Sequence, residues 1–285
     1  MEQQISNIHW FPGHMTKTFR LIEKEIKNVD IVIELIDARL PISSKNPELA
    51  AATSRKPRFV VLNKADLADE TQTRKFVDYY RAHGYGAVAI SSKDRKGARK
   101  AIDAALSLLN KQNKQRSAIK PAAMVVGVPN IGKSTFINSL AGATKTKAED
   151  RPGVTRGKQL VVLKDIELLD MPGVLWKKLE DQRGALLLAF TGAIKDNVLD
   201  TQEISACLLE RLAKTNASAL IERYSFSEEL VSKADGREML SAVAQKRGML
   251  MSGGVTDDER AANAVLDELR AGKLGRITFD GVPAQ

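Results

Sequence analysis

Two short motifs occur along this chain in an order that dictates how its fold must be connected. Asn63-Lys64-Ala65-Asp66 ends a β-branched run, Phe59 to Leu62. Gly127-Val128-Pro129-Asn130-Ile131-Gly132-Lys133-Ser134 comes later, after another apolar run, and opens a helical stretch from Lys133 to Leu140. The later motif is a phosphate-binding loop, whose glycines let backbone N–H groups curl around a β-phosphate at the positive end of a helix dipole. The earlier motif has the chemistry of a base-reading turn. Both must flank one nucleotide, yet they stand in the reverse of the usual order. The scaffold has therefore been cut and rejoined as a circular permutation.

In the phosphate loop, Asn130, Ile131, Gly132, Lys133, Ser134 and Thr135 are expected to line the phosphates. Lys133 would bridge β- and γ-phosphates as a catalytic charge, and the Ser134 hydroxyl would ligate Mg²⁺. Asp170-Met171-Pro172-Gly173 follows the run Ile166 to Leu169. Its carboxylate can order Mg²⁺, and the Gly173 N–H can sense a γ-phosphate. Between these elements, Asp150 to Thr155 is a polar, glycine-broken stretch suited to a switch. Thr155 is the preferred threonine to close over Mg²⁺, with Thr144 and Thr146 as alternatives.

On the base side, a carboxylate at Asp66 can accept from both N1–H and the exocyclic amine of guanine. Adenine presents no such pair on that edge, so the wrong base leaves a buried charge unpaired. Lys64 would lie along the ring and Asn63 would tie the loops together. Ser91-Ser92-Lys93, after the run Ala87 to Ile90, supplies the remaining base-side loop. Singly these are ordinary strand-end turns. Together they specify GTP as substrate and GDP as product.

Short β-branched runs at 31–36, 59–62, 87–90, 124–127, 160–163 and 166–169 alternate with helical stretches. The expectation is an α/β, doubly wound, mostly parallel six-stranded sheet. After Gly173 helical patterns take over, and the expected division is a nucleotide domain at 1–180 and an all-helical domain at 181–285. The boundary itself lies between about 176 and 200. The last helix is expected to open on a capping box, Thr256-Asp257-Asp258-Glu259, and to close at Gly272, while 248–254 reads as a flexible break.

The net charge of +9 is unevenly shared: residues 1–180 carry +12 and residues 181–285 carry −3. Lys93 to Lys120 is the densest stretch, with nine basic and two acidic residues. Such a patch suits a polyanion, and RNA is the expected one. No apolar run reaches the roughly 18–20 residues that cross a bilayer, so no membrane association is expected. A lone Cys207 leaves no internal disulfide, which fits a cytoplasmic protein.

With these motifs in place, the sequence resembles the circularly permuted GTPases, and most closely the bacterial ribosome biogenesis GTPase A family. The resemblance also covers Trp10-Phe11-Pro12-Gly13-His14-Met15 near the start. Towards the end it covers Lys246-Arg247-Gly248, Ser252-Gly253-Gly254 and Gly272-Lys273-Leu274-Gly275-Arg276. It implies a late step in large ribosomal subunit assembly, with nucleotide-dependent binding to precursor particles, rRNA and ribosomal proteins, by a monomer. The helical domain resembles RNA-binding antiterminator modules.

The resemblance also bears on the water. Many GTPases position it with a glutamine just after Asp-x-x-Gly, where Val174 and Leu175 stand here. The Pro-Gly-His-Met match implies that His14 supplies that role, and His9 is the nearest competitor. Asn130 resembles the residue that helps hold K⁺ in potassium-dependent GTPases, although it can equally brace the loop. Two classes stay open: a GTPase that leaves its particle after hydrolysis, and an RNA chaperone that uses GTP as an occupancy signal.

Overall fold

The structure, a computed structural model, describes residues 15–112, 120–141, 159–176 and 181–283. All six expected strands form: β1 Ile31–Asp37, β2 Arg58–Asn63, β3 Gly86–Ala89, β4 Ala122–Gly127, β5 Gln159–Val162 and β6 Glu167–Asp170. They make one sheet in the order β3-β2-β1-β4-β6-β5. All pairings are parallel except that of β5 with β6. β1 is buried along its whole length, as a central parallel strand must be. Strand order reverses direction between β1 and β4, and at such a point the carboxyl ends leave a crevice for a ligand.

The helices of this α/β unit are α1 Met15–Glu25, α2 Pro47–Ala52, α3 Glu70–Ala82, α4 Arg95–Gln112 and α5 Lys133–Ala141. In α1, Met15, Phe19 and Ile22 bury one stripe at helical spacing. That stripe stops short of Ile26, because the chain tightens into a 3-10 turn at Ile26–Asn28. The short α2 was not foreseen. Its Asn46 caps the N-terminus by accepting from the Glu48 and Leu49 amides at 2.9 and 3.3 Å, with Pro47 at the first helical position.

The second unit is helical: α6 Gln182–Phe190, α7 Thr201–Thr215, α8 Ala217–Tyr224, α9 Glu228–Lys233, α10 Gly236–Lys246 and α11 Asp258–Arg270. Its core gathers Leu208, Leu212, Met239, Val243, Val265 and Leu269. Arg270 ties α11 to the end of α6, donating to Phe190 O at 3.1 Å, to Ala189 O at 3.0 Å and to Asp196. Glu268 is held between Arg223 and Arg247, the latter at 2.8 Å.

Three expectations are corrected here. The N-cap of α11 is Asp257, not Thr256, and the capping box forms instead on α10, between Asp235 and Glu238. Residues 249–257 are an ordered turn, in which Met251 N donates to Val255 O at 2.8 Å and Asp257 N to Met249 O at 2.8 Å. Positive φ at Gly253 and Gly254 makes that turn possible. Finally, the helical region does not run to 285: the unit ends at Ile277, and residues from Thr278 onward belong to the α/β unit. The reason is a set of hydrogen bonds and a buried Phe279 on the first unit.

Candidate nucleotide-binding site

The turn between β4 and α5 places Asn130 at φ 56° and Gly132 at φ 92°, left-handed values that Asn tolerates and Gly adopts freely. A Cβ on Gly132 would stand 2.5 Å from Asn63 Nδ2, and one on Gly127 would stand 2.7 Å from Leu35 O. Close approach therefore calls for glycine at both positions, and at Gly132 the backbone conformation does so as well. The loop encloses a cavity of about 470 Å³, lined by residues 128–135 and Gly173. Ser134 and Thr135 are exposed at the start of α5.

The base-side tetrad is joined to this loop by one buried amide. Asn63 Nδ2 donates to Ile131 O at 2.8 Å, while its Oδ1 accepts from Ser92 N at 2.9 Å and Ser92 Oγ at 2.7 Å. Three segments distant in sequence thus meet on a side chain that is almost fully buried. Lys64 follows in a left-handed conformation, φ 60°, and its Nζ donates to Asn130 O at 2.8 Å. Asp66 sits exposed on the 3-10 turn Ala65–Leu67, with Lys93 Nζ 3.4 Å from its carboxylate. Ser91 adjoins this group through its carbonyl, which accepts from Asp94 N at 3.0 Å.

On the phosphate side, Asp170 ends β6 and pairs with Lys133 Nζ. Gly173 lies against the phosphate loop: a Cβ there would stand 2.9 Å from Pro129 Cα. Beyond it, Val174 and Leu175 turn inward and are buried. Val174 N donates to Gly127 O at 3.2 Å, and Val174 O accepts from Asn46 Nδ2 at 3.0 Å. The positions that follow Asp-x-x-Gly are thus pinned into the core and offer no polar side chain to a water.

Ser134 and Asp170 are hard oxygen donors, and among the described residues no three His, Cys, Asp or Glu side chains converge to hold a metal. An ion there would take most of its ligands from phosphate and water, which is how Mg²⁺ binds. The donor set fits. His14, His9, Thr155, Thr144 and Thr146 lie outside the described residues.

Sequence reasoning missed a second layer under the base-side loop. Asp37, at the end of β1, accepts from Arg39 Nε at 2.9 Å, from an Arg39 terminal nitrogen at 2.8 Å and from Arg39 N at 3.0 Å. Lys64 Nζ stands 3.2 Å from the same carboxylate. Burial pushes the Asp37 pKa up, but the charges of Arg39 and Lys64, with the Arg39 hydrogen bonds, more than offset this and hold it at about 2. The signal was the Asp-x-Arg that closes an apolar strand, since an Asp side chain readily accepts from the backbone N–H two residues on and so turns the chain.

The family model described as "50S ribosome-binding GTPase" matches residues 122–224, a span that begins at β4 and leaves the base-side tetrad outside. The ribosome biogenesis GTPase A of Bacillus cereus is 44% identical over 280 residues, covering 96% of this chain and 93% of that protein. The chain belongs to the ribosome biogenesis GTPase A family. Mitochondrial ribosome-associated GTPase 1 of Mus musculus is 32% identical over 95% of this chain and 89% of its own. The GNP-bound crystal structure of YlqF from T. maritima superposes with a TM-score of 0.63 at 28% identity, covering 93% of this chain and 97% of that one. As a member of the family, the chain is a GTP hydrolase of ribosome biogenesis, and it has the family's permuted α/β fold.

In this GTPase the Asn63 amide is the joint between base side and phosphate side. Asn63→Ala leaves the Ile131 carbonyl and the Ser92 amide without that partner, an expected cost of about 2–3 kcal/mol. Chemical denaturation should show the loss, and GDP titration should show weaker binding in parallel. Unchanged affinity in a destabilised variant would confine Asn63 to the fold.

Proposed function

We propose that this GTPase acts in a late step of large (50S) ribosomal subunit assembly, binding rRNA and ribosomal proteins on precursor particles while GTP is present and leaving after hydrolysis. The observation that carries the nucleotide part is the Asn63 joint, which ties the base-side loops to the phosphate loop that lines the cavity. The ribosomal part is supported by the similarity to ribosome biogenesis GTPase A, to mitochondrial ribosome-associated GTPase 1 and to the 50S ribosome-binding GTPase family. Charge supports it too. α4 buries Ala98, Ala101, Ile102, Ala105 and Leu109 and turns Arg95, Lys96, Lys100 and Lys111 to solvent, a row of cations suited to phosphate contact. Cytoplasmic location and a monomeric state belong to the same reading. No described helix is long and apolar enough to cross a membrane.

The roles follow from position. Asp66 reads guanine, with Asn63, Lys64, Ser91, Ser92 and Lys93 around it. Residues 130–135 of the loop hold the phosphates, and Lys133 neutralises charge that develops between β and γ. Ser134, Asp170 and Thr155 would hold Mg²⁺, which when bound draws charge off the phosphate oxygens. Gly173 reports the γ-phosphate to the segment that leads into the helical unit. Asn130 is the candidate for a K⁺ contact. With Val174 and Leu175 buried, a group from outside the sheet must orient the water, and His14 is the one proposed.

Single-turnover GTP hydrolysis with and without large-subunit precursor particles tests this reading. Particles should raise the rate at least about tenfold, a barrier change of roughly 1.4 kcal/mol. His14→Ala should bind GTP normally and lose the stimulation. Replacing KCl by NaCl in the same assay should slow it if Asn130 holds K⁺. Equal rates with and without particles would overturn the stimulated-enzyme reading in favour of an occupancy signal.

A further inference from the structure

After the helical unit ends at Ile277, the chain returns to the α/β unit in three residues, Thr278-Phe279-Asp280, which bond to the end of β1, the loop after it and the turn after Asp66. The Thr278 hydroxyl accepts from Asp69 N at 3.1 Å and donates to Ala38 O at 3.4 Å. Asp69 lies three residues past Asp66 and caps α3, accepting from Gln72 N at 2.7 Å. Ala38 is the residue between Asp37 and Arg39, and its own N–H donates to Asn63 O at 2.8 Å. One hydroxyl therefore ties the turn that carries Asp66 to the strand end that holds Lys64.

The next two residues fasten the same corner. Phe279 is buried, and its N–H donates to Arg39 O at 2.8 Å. The Asp280 carboxylate accepts from Ile42 N at 2.7 Å, Ser43 N at 2.8 Å and Ser43 Oγ at 2.7 Å, fixing the loop that leaves Arg39. Beyond it, Val282 packs on the apolar cluster of Ile36, Leu62, Ala68, Phe76 and Tyr80 that underlies the tetrad. A mere tail end would need few of these bonds. A strap would need them, because Thr278 joins the turn after Asp66 to the end of β1 and Asp280 fixes the loop that follows Arg39.

We propose that Thr278 and Asp280 are positioning residues for guanine selection: the C-terminal strap holds the Asp66 turn and the Asp37–Lys64 corner in the geometry that reads the base. This rests on the reading of Asp66 as the guanine-selecting carboxylate. Neither strap residue touches the nucleotide. Their effect is on the alignment of groups that do, so it should appear in base discrimination as well as in stability. The strap is also continuous with the helical unit, so a ligand that strains residues 271–277 would have a covalent route to the base-side loop.

The test uses the full chain and two probes, GDP and IDP, which differ by the exocyclic amine that Asp66 would accept from. Thr278→Val and Asp280→Ala are each expected to weaken GDP by about tenfold and IDP by less, narrowing the preference, with faster GDP release. Thr278→Ser, which keeps the hydroxyl, should restore both. Melting temperatures are recorded alongside. An unchanged GDP-to-IDP ratio in both variants, while Asp66→Ala abolishes the ratio, would show the strap to be structural only and overturn the proposal. If Asp66→Ala itself leaves the ratio intact, the guanine reading fails and the strap proposal falls with it.

Discussion

Asp66→Asn is expected to exchange the nucleotide preference of this GTPase from guanine to xanthine. A carboxylate offers two acceptors to the N1–H and the exocyclic amine of guanine. An amide offers one acceptor and one donor, which matches xanthine, whose C2 carries an oxygen instead of an amine. The mismatch leaves a donor facing a donor. Sites built to hydrogen-bond a substrate group reject the analogue that lacks it by as much as about 10⁴–10⁵, and one lost pair here should cost GTP about 10²–10³ in affinity. XTP should then bind more tightly than GTP. The exposed Lys93 beside Asp66 does not compete for this role, since a pair with a lysine that is 75% exposed contributes little. Competition of GTP, XTP and ATP against a fluorescent nucleotide measures the exchange; a variant that still prefers GTP would remove Asp66 from base recognition.

The parts of this site that were legible from the chain share a physical property: each is a local motif whose backbone demand is written in its own residues. Gly127 and Gly132 stand where a Cβ would meet another segment, and the tetrad starts where the buried run Phe59 to Leu62 stops. The central strand runs were equally legible, because a central parallel strand must be apolar on both faces. Helix α6 was not. Its sequence, QRGALLLAF, is apolar on nearly every side, so it carries no 3.6-residue period, and its burial on nearly all faces follows from packing that no window displays. Helix α2 is only six residues long, too short for a period, although Asn46 and Pro47 together signal a helix start.

The strap and the Asp37–Arg39 pair were illegible for another reason. Thr278 meets Asp69 and Ala38 across more than two hundred residues of chain, and no local preference of Thr-Phe-Asp points there. Arg39 is more instructive. An arginine that closes a strand ordinarily reads as a solvated turn residue, yet it is 1% exposed. Sequence patterning assigns charge to the surface by default, and it fails where a charge is neutralised inside. Such failures mark the places where a fold holds a functional group in position, and this one holds Lys64.

The same pair carries the second large expected effect. Arg39→Ala removes the guanidinium that grips both carboxylate oxygens of Asp37 and leaves a buried charge with Lys64 at 3.2 Å as its remaining counter-ion. Breaking one side of a buried pair costs about 3–5 kcal/mol, so a large share of the stability of an ordinary domain is at stake. The pH dependence identifies the cause. In the native chain the Asp37 pKa is depressed to about 2, so its stabilising contribution is complete above the unfolded value near 4 and is lost as pH falls through the folded value. Without Arg39, burial is opposed chiefly by Lys64, and the folded pKa is expected to rise above the unfolded one. The sign then reverses: the protonated form favours the fold, and stability is lost as pH rises through the new folded value. The deficit of the variant should therefore be greatest near neutrality and shrink as the pH approaches about 3. Denaturant titrations of both proteins across that range measure it. Combining Arg39→Met with Asp37→Asn should recover part of the loss by removing the stranded charge. A deficit that is the same at every pH, and that the double substitution does not lessen, would assign the cost to lost packing of the arginine stem and not to the charge it neutralises.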